Sequence, residues 1–287
     1  MKNYRFAASS LRVALTLLIF GVSADVFSKP EQRIISAGGS ITEILFGLNL
    51  GDSVVGVDSS SLYPKEATEK PKVGYFRNLG AEGVMSLNPS LIIAAKGAGP
   101  KPVLNQLSSL GVEVRTYDQN SYTMESWQKL VTGLGSEFDR QAEAQTMIER
   151  VVTGIHQQQE ERKYAKDHLN AVALLSIGQR GPVTAGQNTV PNLLLELAGI
   201  NNLAGELDGY KPFSSEVLAE QKLDLVLVPS HVVDGLGGKQ AICDNQLIKL
   251  AMQGECNVHI MDGLLLLGFG TRLDLAVSEI VGLANTR

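Results

Sequence analysis

Cysteine is nearly absent: the 287 residues contain two, Cys243 and Cys256. Two thiols are too few for an all-cysteine zinc site. Histidine is scarce as well, with four residues, His156, His168, His231 and His259, that show no metal-ligand spacing. There is no Gly-x-Ser-x-Gly elbow and no His-Glu-x-x-His pair, which removes the commonest hydrolase and metalloprotease signatures. Two glycine-rich runs, Lys96-Gly97-Ala98-Gly99 and Gly235-Leu236-Gly237-Gly238-Lys239, fail to complete a phosphate-binding loop. They read instead as turns at strand ends, where open α/β sheets bind ligands. Basic excess is missing too: 25 Lys and Arg stand against 30 Asp and Glu, for a formal charge of −5. An acidic chain without a basic stripe does not suit nucleic acid.

Long apolar runs are confined to the start of the chain. Lys2, Arg5 and Arg12 precede the apolar stretch Val13–Phe20, and Val22-Ser23-Ala24 supplies small residues at a cleavage site. This pattern predicts a secretory leader over residues 1–24 that is too short to span a bilayer. Its removal takes away three cations and no acids, moving the formal charge from −5 to −8. No cysteine stands directly after the leader, so no lipid attachment is expected, and the mature chain is expected to be a free, soluble monomer in the periplasm. In an oxidising compartment a Cys243–Cys256 bridge is favoured over two buried thiols.

What is present is a globular composition, 44% hydrophobic and 19% charged, able to bury a core. Residues 25–135 alternate strand and helix. Strands are predicted at Arg33–Ala37, Val54–Val57, Leu91–Ala95 and Val112–Tyr117. Ser40 and Glu43 fit a capping box for a helix continuing through Ile41, Ile44, Leu45 and Leu48. Residues 136–168 hold one glycine, no proline and many helix formers. They predict one helix of about thirty residues, roughly 45 Å long at 1.5 Å per residue. Alternation resumes over 169–287, with strands at Ala171–Leu175, Leu225–Val228 and Val258–Met261 and helices at Pro191–Ala198 and Leu273–Leu283. The fold class is α/β: two Rossmann-like lobes joined by one long α-helix, with a ligand cleft between them. The long helix predicts little lobe closure. His156 and His168 read as solvated on the polar helix, and His259 as structural. His231, near Asp234, is a candidate to face the cleft.

An internal echo relates the halves. Glu82 precedes Leu91 by nine residues, and Glu216 precedes Leu225 by nine. Each pair leads from a short helical stretch into an aliphatic strand.

Four runs, Ser40–Leu45, Val73-Gly74-Tyr75-Phe76-Arg77, Leu79-Gly80-Ala81-Glu82-Gly83 and Leu264–Arg272, together resemble the periplasmic haem-binding proteins of bacterial ABC haem importers. Their wider class includes cobalamin and ferric-siderophore binders. The resemblance covers essentially the whole mature chain, and its haem-specific part is Gly-Tyr-x-Arg followed by Ala-Glu-Gly. It implies that Tyr75 ligates ferric haem iron, a sensible role for a hard phenolate oxygen. Arg77, on the same side of an extended backbone, would then favour the phenolate. It also implies that Glu82 and Glu216 dock to arginines of the membrane permease. Arg272 has two open roles, pairing with haem propionates or capping the last helix. Tyr210 and Lys211 are candidate cleft-lining residues. The rival readings are a cobalamin or siderophore carrier, a haem scavenger indifferent to Glu82 and Glu216, and a periplasmic enzyme built on His231 and Asp234.

Overall fold

The structure, a computed structural model, describes residues 32–117, 121–163, 168–178, 181–213 and 221–285. The leader expected at 1–24 and the docking candidate Glu216 lie outside the described residues.

The first lobe is built on a four-stranded parallel sheet in the order β2-β1-β5-β6. Its strands are β1 (Ile34–Ala37), β2 (Val54–Val57), β5 (Leu91–Ala95) and β6 (Glu113–Tyr117). β1 and the first four residues of β5 are fully buried, which is why they read as unbroken apolar runs rather than alternating ones. Around them lie α1 (Gly39–Gly47), α2 (Lys65–Thr68), α3 (Ala81–Met85) and α4 (Lys101–Ser109). A two-stranded hairpin, β3 (Gly74–Tyr75) with β4 (Asn78–Leu79), projects beyond β2.

The second lobe holds a six-stranded sheet in the order β10-β8-β7-β11-β12, with β9 (Asn201–Asn202) beside β7. β7 (Asn170–Gly178), β11 (Leu225–Pro229) and β12 (Val258–Met261) run parallel. β8 (Gly181–Ala185) and β10 (Tyr210–Pro212) add an antiparallel edge that the sequence reading missed.

The helix expected over 136–168 is present as α6 (Gln141–Arg162), shorter than expected at 22 residues, or about 33 Å, while Ser136 and Glu137 belong to the end of the preceding α5 (Met124–Glu137). The break is a left-handed turn: Asp139 has φ 55°, and Arg140 N–H reaches back to the Gly135 carbonyl at 2.7 Å. That bond closes a helix C-terminus of the Schellman type. A Cβ on Gly135 would lie 2.5 Å from the Ala144 Cβ, so the glycine lets the two helices meet closely. Nor is α6 a bare strut. One continuous apolar core takes in Ile41 and Ile44 of the first lobe, Trp127 of α5, Val151 and Ile155 of α6, and Leu227, Phe269 and Ile280 of the second lobe. Lobes that share a hydrophobic core are not free to swing as domains on a polar linker are.

The capping box is also corrected. α1 starts two residues earlier, with Gly38 at its N-cap and no side-chain cap bond. Gly38 sits at φ 120°, and a Cβ there would press to 2.7 Å from the Ala95 Cβ. Ser40 and Glu43 are thereby freed for contacts with the other lobe.

Candidate functional site

The carboxyl ends of parallel strands are where open α/β sheets place ligands; Asp58 follows β2 and His231 follows β11 there, whereas Tyr210 and Lys211 lie on the antiparallel edge. The Tyr75 hairpin follows β2 on this rim. Gly74 opens it at φ 102°, and a Cβ there would sit 2.8 Å from the Asn78 carbonyl oxygen; the turn therefore needs glycine. Tyr75 is 46% exposed, and its ring meets Phe76 edge-on at 4.8 Å between centroids. Arg77 differs from expectation. The strand ends at Tyr75, so Arg77 belongs to the turn, and its guanidinium lies over the Phe76 ring at 5.0 Å. Tyr75, Phe76 and Arg77 thus form one stacked group at the hairpin tip, worth about 0.5–1 kcal/mol for the cation over the ring at such an exposed site.

Backbone bonds brace the hairpin on both sides. Ser59 N–H donates to the Gly74 carbonyl at 2.8 Å, Leu79 N–H to the Gly99 carbonyl at 2.7 Å, and Gly99 N–H to the Phe76 carbonyl at 2.9 Å. The glycine-rich turn at 96–99 therefore supports the hairpin.

The Arg272 carbonyl accepts from Ala276 N–H at 3.0 Å at the start of the last helix, Leu273–Asn285, as the capping role expects, and its side chain turns to Glu43. Its Nη2 donates to Glu43 Oε1 at 2.7 Å and its Nε to the same oxygen at 3.2 Å. The other oxygen, Glu43 Oε2, accepts from Thr271 N–H at 3.0 Å and the Thr271 hydroxyl at 3.2 Å. Glu43 is 3% exposed, so these donors are what allow an ionised acid in the core. Nearby, Ser40 Oγ accepts from Phe269 N–H at 2.8 Å, and Trp127 Nε1 donates to the Gly270 carbonyl at 2.7 Å. Together they form a clamp between α1 and the segment 268–272. The outer face of the Arg272 guanidinium stacks on Tyr63 at 4.0 Å, and Tyr63 and its neighbour Leu62 are 41% and 60% exposed.

On the second lobe, Tyr210 and Lys211 stand on β10, exposed. Although Tyr210 is 45% exposed as a whole residue, protein crowds its phenol end, and that desolvation pushes it up to about 12, with a smaller contribution from Tyr122. Tyr122 in turn packs edge-on against Phe269 at 5.1 Å. His231 is exposed on the short helix Ser230–Val233, with its ring laid against the backbone of Gly263, where no side chain fits. Glu82 is exposed in the first turn of α3. His156 and His168 are exposed, and His259 pairs with Glu279 at 2.7 Å. Cys243 and Cys256 are bridged, with Cα atoms 5.4 Å apart.

Four contributors escaped the sequence reading: Glu43 in its real role, Tyr63, Tyr122 and the buried Asp58. One signal was available for Glu43. An acid among Ile41, Ile44 and Leu45 on the buried face of a helix requires a cation, and Arg272 was already singled out.

A family profile described as "Periplasmic binding protein" matches residues 34–249. An uncharacterised ABC transporter substrate-binding lipoprotein of Bacillus subtilis is 28% identical over 212 residues, 72% of this chain and 67% of its own. A vitamin B12-binding protein of Vibrio parahaemolyticus is 34% identical over 103 residues, only 36% of this chain and 38% of its own. Among solved structures, the periplasmic heme-binding protein BhuT with two hemes superposes with TM-score 0.80 at 30% identity, over 89% of this chain and 98% of that one. The periplasmic heme-binding protein HutB of Vibrio cholerae gives 0.79 at 29%, over 88% and 99%.

Proposed function

The chain belongs to the periplasmic binding protein family, and from that membership we infer that it captures ferric haem in the periplasm and delivers it to an ABC importer. The observation that carries the reading is the Tyr75 hairpin, a half-exposed phenol on a braced turn at the rim where the sheets end. A phenolate is a hard anionic ligand suited to Fe(III). Structures of proteins named for heme binding support the ligand class, since they match at 29–30% identity over nearly their whole length. Around the iron ligand, Leu62, Tyr63 and Phe76 offer apolar surface for a porphyrin, which would supply most of the binding energy. Arg77 at the hairpin tip and Lys211 across the cleft supply cations for propionates. Arg272, already engaged by Glu43, orders the cleft floor. His231 and Tyr210 stay next in line for the iron.

Delivery follows from the family: a substrate-binding protein of this kind hands its ligand to a membrane permease, with no catalytic step of its own. Glu82 and Glu216 would set the register of docking more than its strength. The leader over 1–24 would send the chain to the periplasm as a soluble monomer.

Titration of the purified protein with ferric haem, beside Tyr75→Ala, tests the reading by visible absorption. The expected result is a saturable high-spin tyrosinate spectrum that the variant loses. Cobalamin is the second ligand to titrate, because the short match to a vitamin B12-binding protein favours it. Saturable cobalamin binding without a haem response would replace the haem reading.

A further inference from the structure

Asp58 is fully buried at the carboxyl end of β2, and its carboxylate is saturated with donors. Oδ1 accepts from Gly38 N–H at 2.8 Å and the Ser61 hydroxyl at 2.7 Å. Oδ2 accepts from Ser60 N–H at 2.9 Å, the Ser60 hydroxyl at 2.6 Å and Phe76 N–H at 3.2 Å. The last bond crosses eighteen residues of sequence to the amide that directly follows Tyr75. The carboxylate is itself held from behind. Ser61 Oγ meets Thr42 Oγ1 at 2.6 Å, and Thr42 Oγ1 meets Ser36 Oγ at 2.7 Å, with all three residues fully buried. A chain of buried polar groups therefore runs from β1 and α1 through Asp58 to the hairpin. On the far side the Phe76 carbonyl accepts from Gly99 N–H at 2.9 Å. The residue after the tyrosine is thus gripped at both its N–H and its C=O.

We propose that Asp58 is a positioning residue for the Tyr75 ligand: its carboxylate fixes the Phe76 amide and so holds the hairpin that presents the phenolate to iron. The proposal rests on the haem reading above. A two-residue strand pair is too short to hold its own shape, whereas metal ligands must be held within about 0.5 Å of their working geometry. The groups that orient ligands are worth about 10- to 100-fold in metal affinity. Asp58 supplies that orientation through the Phe76 backbone N–H, so side-chain substitutions on the hairpin that keep this N–H leave it in place.

The test removes the bond from each end and reads the tyrosinate-to-iron charge-transfer band and the haem release rate. Phe76→Ala and Phe76→Pro both remove the ring, but only proline removes the N–H. Phe76 does not have a positive φ and follows an extended residue, the backbone that a following proline favours. Phe76→Pro is expected to release haem about tenfold faster than Phe76→Ala, with a displaced band. Asp58→Ala is expected to do the same. Asp58→Asn is expected to keep the band, because its amide oxygen still accepts from Phe76 and Ser60, and to lose only thermal stability, because its NH2 then faces the Gly38 N–H. Matching behaviour of the two Phe76 variants overturns the proposal. So does a band that follows stability across the two Asp58 variants, or a wild-type band in Asp58→Ala. If Asp58→Ala fails to fold, the Phe76 pair decides. A wild type that binds haem without a tyrosinate band, or not at all, defeats the haem reading itself and this proposal with it. A wild type with the band and unaffected variants defeats only this proposal.

Discussion

Arg272→Met is the sharpest test of how the lobes are tied. Methionine keeps much of the stem and removes the guanidinium, leaving Glu43 buried with only the Thr271 donors. The Glu43 side chain is 2% exposed and that of Arg272 14%, so the pair belongs to the buried class. Breaking such a pair from one side costs about 3–5 kcal/mol, because a charge is stranded in the core. The loss of the stack on Tyr63 adds about 0.5–1 kcal/mol. With a urea slope of about 3 kcal/mol/M, the top of the range for small proteins, the midpoint should fall by about 1–2 M. Far-ultraviolet circular dichroism of the ligand-free protein is the assay, so any contact between Arg272 and a propionate is outside the measurement. The double variant Glu43→Leu/Arg272→Met carries the discriminating result. Removing both charges should recover part of the loss, since apolar replacement of a buried pair is often neutral. A single variant within about 1 kcal/mol of wild type, or strict additivity in the double variant, would refute the clamp.

Two further outcomes are expected. The Tyr210 phenol is raised from about 10 to about 12 by burial, so the folded state keeps its proton after the unfolded chain has lost it. Stability should therefore be lost as pH rises from about 10 to about 12; melting curves against pH should show a shallower alkaline decline for Tyr210→Phe, and an identical decline would discount the shift. Glu82→Lys should leave the haem spectrum unchanged while weakening stimulation of the partner importer's ATPase in proteoliposomes. Full stimulation would remove Glu82 from the docking surface.

Much of the scaffold was legible because it is written in local runs. Leu91–Ala95 and Leu225–Pro229 are short aliphatic stretches that could be little else than buried strands, and Val258–Met261, with β-branched Val258 and Ile260, is buried at its ends and not in its middle. The Tyr75 run was legible as a motif, and the bridged cysteines followed from compartment and count. What was hidden depends on groups far apart in sequence. Ser40 and Glu43 satisfy a local capping rule on paper, yet their partners lie 229 residues away at Phe269 and Arg272. The break between α5 and α6 was hidden for another reason: its left-handed position is held by Asp139 rather than by glycine. Gly133 and Gly135 thin out the helix formers just before it, but they lie inside α5, so composition does not mark the stop itself. Arg77 was misplaced because alternation assumes a strand that continues, and this one turns after Tyr75.

Trp127 gives the clamp an optical signature. It is the chain's single tryptophan, fully buried, with its indole N–H on the Gly270 carbonyl. All indole emission therefore originates where the lobes are tied. Porphyrins absorb in the region where indole emits, so haem seated in the cleft would drain this one excited state by dipolar energy transfer. Dimming without a change of colour would mean that the junction stays dry while the ligand enters. A shift to the red would mean that water has reached the indole and that loading pries the lobes apart.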